Sequence, residues 1–134
     1  MAERITPFLM FEGRAEEAID FYLSVFADTR IETIERFGTD GPGAQGSVAS
    51  AVVILNRQRL MAFDSPVHHA FTFTPSISLF VDCDSEEEID RLFGALSEGG
   101  QVMMELAEYP FAERFAWLAD RFGVSWQLRF GARG

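Results

Sequence analysis

An internal repeat is the feature that most constrains how this chain can fold. An apolar, strand-like segment at residues 5–11 precedes an amphipathic helix at 15–26, and strand candidates follow at 30–37, 48–55 and 59–63. The same order recurs 70 residues later, with a strand at 76–82, a helix from Ser85 onward, and strands at 102–106, 115–118 and 125–130. A shared order of five elements predicts a duplicated βαβββ unit.

The two halves also match residue by residue. The pattern Glu-Glu-x-Ile-Asp at residues 16–20 recurs at 86–90, and Leu9 recurs as Leu79. Ser85 followed by Glu88 is a capping-box pattern, which marks the start of the second helix. We therefore predict an α+β fold of two tandem βαβββ modules within one domain, residues 1–134, with module 1 at about 4–65 and module 2 at about 75–131.

Composition excludes several partners. The 134 residues suffice for one ordinary domain, and the 14 Phe can fill a core and also line a cavity or an interface. A net charge of −10 disfavours nucleic acid and an anionic membrane surface, since both attract basic proteins. Cys83 is the only cysteine, so no intrachain disulfide forms. Without a secretory signal or a membrane-spanning run, a cytoplasmic location is expected.

Three segments carry a family resemblance: TPFLMFEGRAEEAIDFYLSVF, SISLFVDCDSEEEIDRLFGALSEGG and PFAERFAWLADRFGVSWQL. They resemble the PhnB-like, demethylubiquinone-methyltransferase-like branch of the vicinal-oxygen-chelate (glyoxalase/bleomycin resistance/dioxygenase) superfamily, over almost the whole chain. The resemblance implies two modules whose curved mixed sheet encloses a cleft, and it implies a homodimer. The methyl transfer in the branch's name is not expected, because the sequence lacks a GxGxxG turn and an alternating βα series for S-adenosylmethionine.

Enzymes of this superfamily hold a divalent metal with His and Glu side chains. The resemblance places the corresponding positions of this chain at Thr6 or Pro7, Met61, Ser76 and Gln127. Proline has no side-chain donor, and neutral hydroxyls and amides bind transition metals poorly beside imidazole or carboxylate. We therefore expect no metal and no cofactor. The expected ligand-binding residues are Thr6, Met61, Asp64, Ser76, Trp117 and Gln127.

Four titratable residues are candidate catalytic groups. Asp64 either faces the cleft as a proton-transfer group or bonds the turn that follows its strand. His68 and His69 lie in the segment joining the modules, where one swings over the cleft as an acid–base group or both are solvated. Glu105 stands among Met and Leu residues, and strand alternation leaves its side open.

Alternation along the last strand predicts that Trp126 and Gln127 point to opposite faces. With Gln127 facing the cleft as a hydrogen-bonding group, Trp126 faces the helix layer. Trp117 belongs either to the core or to the wall of the cleft. Cys83 precedes the Ser85 helix cap without a basic neighbour in sequence, so a structural role is expected rather than a reactive one.

The sequence favours a dimeric protein that binds an apolar or aromatic small molecule with one or two polar anchors and no metal. The alternative is an enzyme, a lyase, isomerase or dioxygenase-like protein, that uses acid–base groups or a metal site rearranged onto Asp64, His68 or His69, and Glu105. A purely structural or interaction module is a third interpretation.

Overall fold

The computed structural model describes residues 1–134, and the chain divides into two compact units. The first unit comprises Met1–Ala70 and the second comprises Phe71–Gly134. Each unit has one helix and four strands, in the order strand, helix and three strands. The α+β class and the tandem βαβββ plan predicted from the sequence are confirmed.

The first unit contains β1 (Phe8–Phe11), α1 (Ala15–Val25), β2 (Thr29–Arg36), β3 (Val48–Leu55) and β4 (Gln58–Asp64). Its sheet has the strand order β1-β4-β3-β2. The β1–β4 pair is parallel and the other two pairs are antiparallel. The helix connects β1 to the rest of the sheet, which is why the first strand alone can pair in parallel.

The second unit repeats this topology with β5 (Leu79–Asp82), α2 (Glu86–Ser97), β6 (Gln101–Tyr109), β7 (Ala112–Ala119) and β8 (Ser125–Ala132). The strand order is β5-β8-β7-β6, and β5 pairs with β8 in parallel. The repeat in sequence is therefore a repeat in sheet topology as well.

Each helix covers one face of its unit's sheet. In the first unit, Asp64 points toward α1, because its Oδ1 accepts the N–H of Ala15 at the helix start (2.9 Å). Alternation along β4 then places Arg59, Met61 and Phe63 on the opposite face. We call the sheet face that points away from the unit's helix its open face.

In the second unit, Arg114 of β7 points toward α2, because its Nη2 donates to Asp90 of that helix (2.6 Å). Alternation places Phe115 and Trp117 on the open face. Gln127 is paired with Trp117 across the β7–β8 ladder and shares that face. Trp126 is 2% exposed and lies on the helix side, as alternation predicts.

The core of each unit lies between helix and sheet. One stripe of each helix is fully covered, and residues from the central strands complete each core. Burying a Val, Leu or Ile side chain stabilises by about 1.5–3 kcal/mol. The buried helix residues are Ala15, Ala18, Ile19, Tyr22 and Val25 in α1 and Ile89, Leu92 and Leu96 in α2.

Two strands begin later than predicted. The first starts at Phe8 rather than at residue 5, and β5 starts at Leu79 rather than at residue 76. Prolines account for both differences: Pro7 has no N–H for a ladder, and Pro75 opens a turn that includes Ser76. Thr6 and Ser76 therefore lie just outside the sheets.

The start of α2 is as predicted. The Ser85 hydroxyl accepts the N–H of Glu88 (3.1 Å), and the Glu88 carboxylate reaches back to the N–H of Asp84 (2.7 Å). Neither helix is long and apolar enough to cross a membrane.

Candidate functional site

A hydrogen-bonded cluster of four polar side chains lies on the open face of the second unit. Trp117 Nε1 donates to Ser125 Oγ (2.9 Å), and Gln127 Nε2 donates to Ser78 Oγ (3.1 Å). The two serine hydroxyls share a third hydrogen bond (2.6 Å). We call Ser78, Trp117, Ser125 and Gln127 the serine cluster.

The serine cluster has unused hydrogen-bonding capacity. Each serine oxygen already accepts one N–H, so the bond between the hydroxyls uses only one of the two hydroxyl protons. Whichever serine donates, the other proton has no acceptor. The carboxamide oxygen of Gln127 also accepts no hydrogen bond, and one Nε2 proton of Gln127 is unused. The cluster can therefore offer a ligand both donors and an acceptor.

Aromatic side chains flank the serine cluster on the same face. Phe80 of β5 is paired with Gln127 and is 49% exposed. Its ring centroid lies 6.5 Å from that of Phe115, and the Arg129 guanidinium lies 4.9 Å from the Phe80 centroid. This arrangement places an exposed ring directly beside hydrogen-bonding groups.

The open face of the first unit is more apolar and contains one cation. Met61 is half-buried and is paired with Phe8 and Val52 on the neighbouring strands. Arg59 stands two residues earlier, and its Nη1 donates to Thr6 Oγ1 (3.0 Å). Thr6 and Met61 therefore share a surface with a guanidinium.

The residues at the superfamily's metal positions do not fit a divalent metal. In the first unit they supply a hydroxyl that is already bonded to Arg59 and the thioether of Met61. Transition metals prefer imidazole, thiolate and carboxylate donors, and a guanidinium repels a cation. No group of three or more His, Cys, Asp or Glu side chains stands where it could hold a metal ion.

Asp64 serves as an acceptor for backbone amides. It is 4% exposed, and its two oxygens accept the N–H groups of Gly13 (2.8 Å), Ala15 (2.9 Å) and Val48 (2.9 Å). The carboxylate thus points to the helix side of the sheet and bonds distant amides rather than the turn after β4. Its three bonds connect the start of α1 to β3 and β4.

The two histidines contact the end of β1. His68 Nδ1 lies 2.7 Å from Glu12 Oε1, and the backbone N–H of His69 donates to Glu12 Oε2 (3.2 Å). The hydrogen bond with His68 is the main cause that lowers the pKa of Glu12 below its ordinary value. His69 Nε2 lies 2.9 Å from Ser65 Oγ. The structure does not bring Asp64 together with either imidazole.

The remaining sequence candidates are dispersed. Ser76 Oγ is bonded to Thr74 (2.7 Å) in the exposed turn before β5. Glu105 is exposed on β6, where its backbone oxygen accepts the hydroxyl of Tyr109 (2.7 Å). Burial raises the pKa of the Cys83 thiol to about 12, with the nearby charge of Glu88 as the next cause.

Sequence analysis missed Ser78, Ser125 and Glu12 as members of these clusters. For Ser125 a signal existed, since it stands two residues before Gln127 and strand alternation puts both on one face. Ser78 likewise stands two residues after Ser76. A serine has no sequence signature for such a role. These hydroxyls meet only because β5 pairs with β8, which brings Ser78, just before β5, beside Ser125.

A family model described as 3-demethylubiquinone-9 3-methyltransferase matches residues 3–129. The chain belongs to this family. The PhnB protein from Bacillus cereus is 50% identical, with 96% of this chain and 100% of that chain covered and a TM-score of 0.93. Protein PA1353 from Pseudomonas aeruginosa is 31% identical, with 97% and 98% covered and a TM-score of 0.82.

The chain also resembles more distant solved structures, and this resemblance is in the fold alone. A glyoxylase/bleomycin resistance protein/dioxygenase domain from Frankia sp. EAN1pec is 14% identical, with 100% of this chain and 96% of that chain covered and a TM-score of 0.67. These findings confirm the PhnB-like resemblance and the glyoxalase/bleomycin-resistance fold that the three sequence segments predict. The enclosed cleft and the homodimer stay predictions.

Proposed function

We propose that this protein binds a small neutral molecule with an aromatic part and a polar end on the open face of the second unit. The observation that carries the proposal is the unused hydrogen-bonding capacity of the serine cluster beside the exposed ring of Phe80. Ligand sites combine apolar walls with a few placed polar groups, and this face has both.

The chemistry of the ligand follows from the donors and the acceptor of the serine cluster that have no hydrogen-bond partner. A carbonyl oxygen of the ligand accepts the free serine proton or the second Nε2 proton of Gln127, and an N–H or O–H of the ligand donates to the Gln127 oxygen. Amides, lactams and phenols with a neighbouring carbonyl have both functions. The ring of such a molecule stacks on Phe80, where offset or edge contacts of aromatic pairs contribute about 0.5–1.5 kcal/mol.

The test compares two glutamine variants in a thermal-shift screen of neutral aromatic amides, lactams and phenols. A ligand that binds only the folded chain raises the Tm in proportion to the logarithm of its concentration. Gln127→Ala should remove the shift for the compounds that stabilise the natural sequence. Gln101→Ala is the matched control, because Gln101 is an exposed glutamine at the start of β6.

Two outcomes contradict the proposal. One is a screen in which no compound of these classes stabilises the protein. The other is a set of stabilising compounds whose shifts are the same in Gln127→Ala and in Gln101→Ala.

The proposed function requires no metal and no cofactor, because the donors at the superfamily's metal positions do not fit a divalent ion. Elemental analysis of protein purified without chelators should find less than stoichiometric transition metal. A stoichiometric metal that is lost in the Thr6→Ala variant would contradict this part of the proposal.

One observation favours an enzyme as the second candidate. His68 Nδ1 bonds to Glu12, and the side chain of His68 is 90% exposed. A carboxylate on one ring nitrogen fixes the tautomer and leaves Nε2 to exchange protons with a substrate. Turnover of any substrate that is lost in His68→Gln and kept in His69→Gln would support this candidate. The methyl transfer named by the family description is not part of either proposal.

We also propose that the protein is a homodimer in solution. Several large apolar side chains are exposed on the single chain, among them Ile77 (78%), Phe71 (64%) and Val67 (60%) in the segment between β4 and β5. Large apolar side chains gain free energy when association removes them from water, so each of these residues is a candidate for the dimer interface.

A further inference from the structure

Arg59 differs from the other paired arginines of the chain. Six arginines lie near a carboxylate, and five of these pairs have an N–O distance of 2.9 Å or less. In the sixth, Arg59 Nε lies 3.7 Å from Glu32 Oε2 without a hydrogen bond. Arg59 therefore has a carboxylate beside it to which it donates no hydrogen bond.

The guanidinium of Arg59 is short of acceptors. Nη1 donates to Thr6 Oγ1, Nη2 has no hydrogen bond, and Nε is enclosed without a partner. Nε of Arg114 is enclosed in the same way, but Nη2 of Arg114 donates to Asp90. The side chain is 29% exposed. Buried donors without acceptors are rare in folded proteins because each one has lost its bond to water. The Nε and Nη2 edge is also the edge on which arginine binds a carboxylate with two parallel hydrogen bonds.

Apolar residues adjoin Arg59 on the sheet. Its cross-strand partner is Ile54, and Met61 follows it on the open face. Beyond Ile54 the row continues on β2 with Arg30, a second cation. The bond to Thr6 restrains the guanidinium, so less freedom remains to be lost when a ligand binds. A restrained guanidinium beside apolar side chains suits an acid whose remaining part is apolar.

We propose that Arg59 anchors a second binding site, on the open face of the first unit, for the carboxylate of a small apolar acid, and that Glu32 competes with this ligand. The Glu32 side chain is 44% exposed and can turn toward solvent. The ligand carboxylate then takes its place beside Nε and also accepts from Nη2. This site shares no residue with the serine cluster.

The experiment titrates benzoate into the protein and follows binding by calorimetry and by the ¹⁵N signals of the arginine Nε–H groups. Benzamide is the neutral analogue of the same shape. Benzoate should move the Arg59 signal and benzamide should not. Arg59→Gln should weaken benzoate binding by at least about tenfold, since a charge-assisted pair is lost. Arg57→Gln is the control, an exposed arginine two residues away in the same hairpin.

Glu32→Gln gives the opposite expectation, because it removes the competing carboxylate while keeping the shape of the side chain. Benzoate should bind this variant several-fold more tightly.

The proposal is overturned if saturating benzoate leaves the Arg59 signal of the natural sequence unmoved, or if Glu32→Gln binds benzoate more weakly. The Arg59 signal is measured in the natural sequence, so it tests the proposal even if Arg59→Gln does not fold. This signal reports on Arg59 alone, so a negative result here is distinct from a negative result of the neutral-ligand test at Gln127.

Discussion

Asp64 acts as a helix cap although it stands 49 residues after Ala15, whose N–H it accepts. The N-cap residue of α1, Arg14, provides no side-chain cap. Helix starts leave N–H groups without intrahelical partners, and the Asp64 carboxylate satisfies that of Ala15. It also accepts the N–H groups of Gly13, just before the helix, and of Val48. A buried acid thus replaces the local serine that caps α2.

Asp64→Asn should therefore destabilise the protein without changing the size of the residue. The carboxamide has one acceptor oxygen, and its NH2 group must face a backbone N–H. We expect a loss of about 2–4 kcal/mol in the free energy of unfolding, measured by urea denaturation. Asp40→Asn, in the exposed loop between β2 and β3, is the control and should change it by less than about 0.5 kcal/mol. Equal midpoints for the two variants would show that Asp64 does not cap the helix.

The role of Asp64 shows what residue patterns leave out. The sequence leaves two roles open for the acid at this strand end, proton transfer in the cleft or a bond to the following turn. The observed partners are instead 51, 49 and 16 residues away. No local motif encodes such a contact, because it depends on how the helix crosses the sheet. The Ser85 cap, by contrast, is read correctly because its partner is three residues away.

Cys83 should be chemically inert in the folded protein. It is 8% exposed, and burial raises the pKa of its thiol to about 12. At pH 8, well below this pKa, almost none of the thiol is ionised, and the thiolate is the form that reacts. The chain should consume almost no disulfide reagent at pH 8 until urea unfolds it, when one thiol per chain reacts. Fast stoichiometric labelling of the folded protein would contradict this expectation.

Among the elements, the β3–β4 turn carries a local strain. Its two central residues, Asn56 and Arg57, have φ values of 48° and 73°. Two-residue hairpin turns with positive φ at both positions favour Asn followed by Gly. Arg57→Gly should therefore stabilise the protein by up to about 1 kcal/mol, seen as a higher urea midpoint. Arg57→Ala removes the same charge but keeps the Cβ, so a gain in that control would assign the effect to charge rather than to backbone.

The periodic elements were predictable and their ends less so. The two helices follow from apolar spacing at 3.6 residues, and both were placed to within a residue or so of their observed ends. The hairpin of β6 and β7 is longer than the sequence predicts. Its strands continue up to a turn of only two residues, between Tyr109 and Ala112. The Pro and Phe at this turn do not resemble the Asn-Gly signal that predicts a tight hairpin.

At the scale of the whole molecule, the duplicated topology was predictable because two copies of one pattern support each other. The candidate site was predictable only in part. Alternation placed Gln127 and Trp126 on opposite faces. The serine cluster, however, combines side chains of β7 and β8 with Ser78 just before β5, and no sequence pattern links them. The Arg59 environment likewise depends on the pairing of β4 with β3 and on the approach of Thr6.

The proposed homodimer makes a prediction that combines the charge of the chain with its apolar surface. Two chains of −10 repel each other, so added salt should tighten association even though it weakens ion pairs. Sedimentation equilibrium should give twice the 15.0 kDa chain mass, with a dissociation constant that falls as salt rises. Ile77→Ser and Val67→Ser should each weaken the dimer at least about tenfold, since an exposed apolar side chain loses its burial. Thr72→Ala, in the same segment, should leave it unchanged. A chain that stays monomeric at high protein and salt concentration would show that these side chains face solvent.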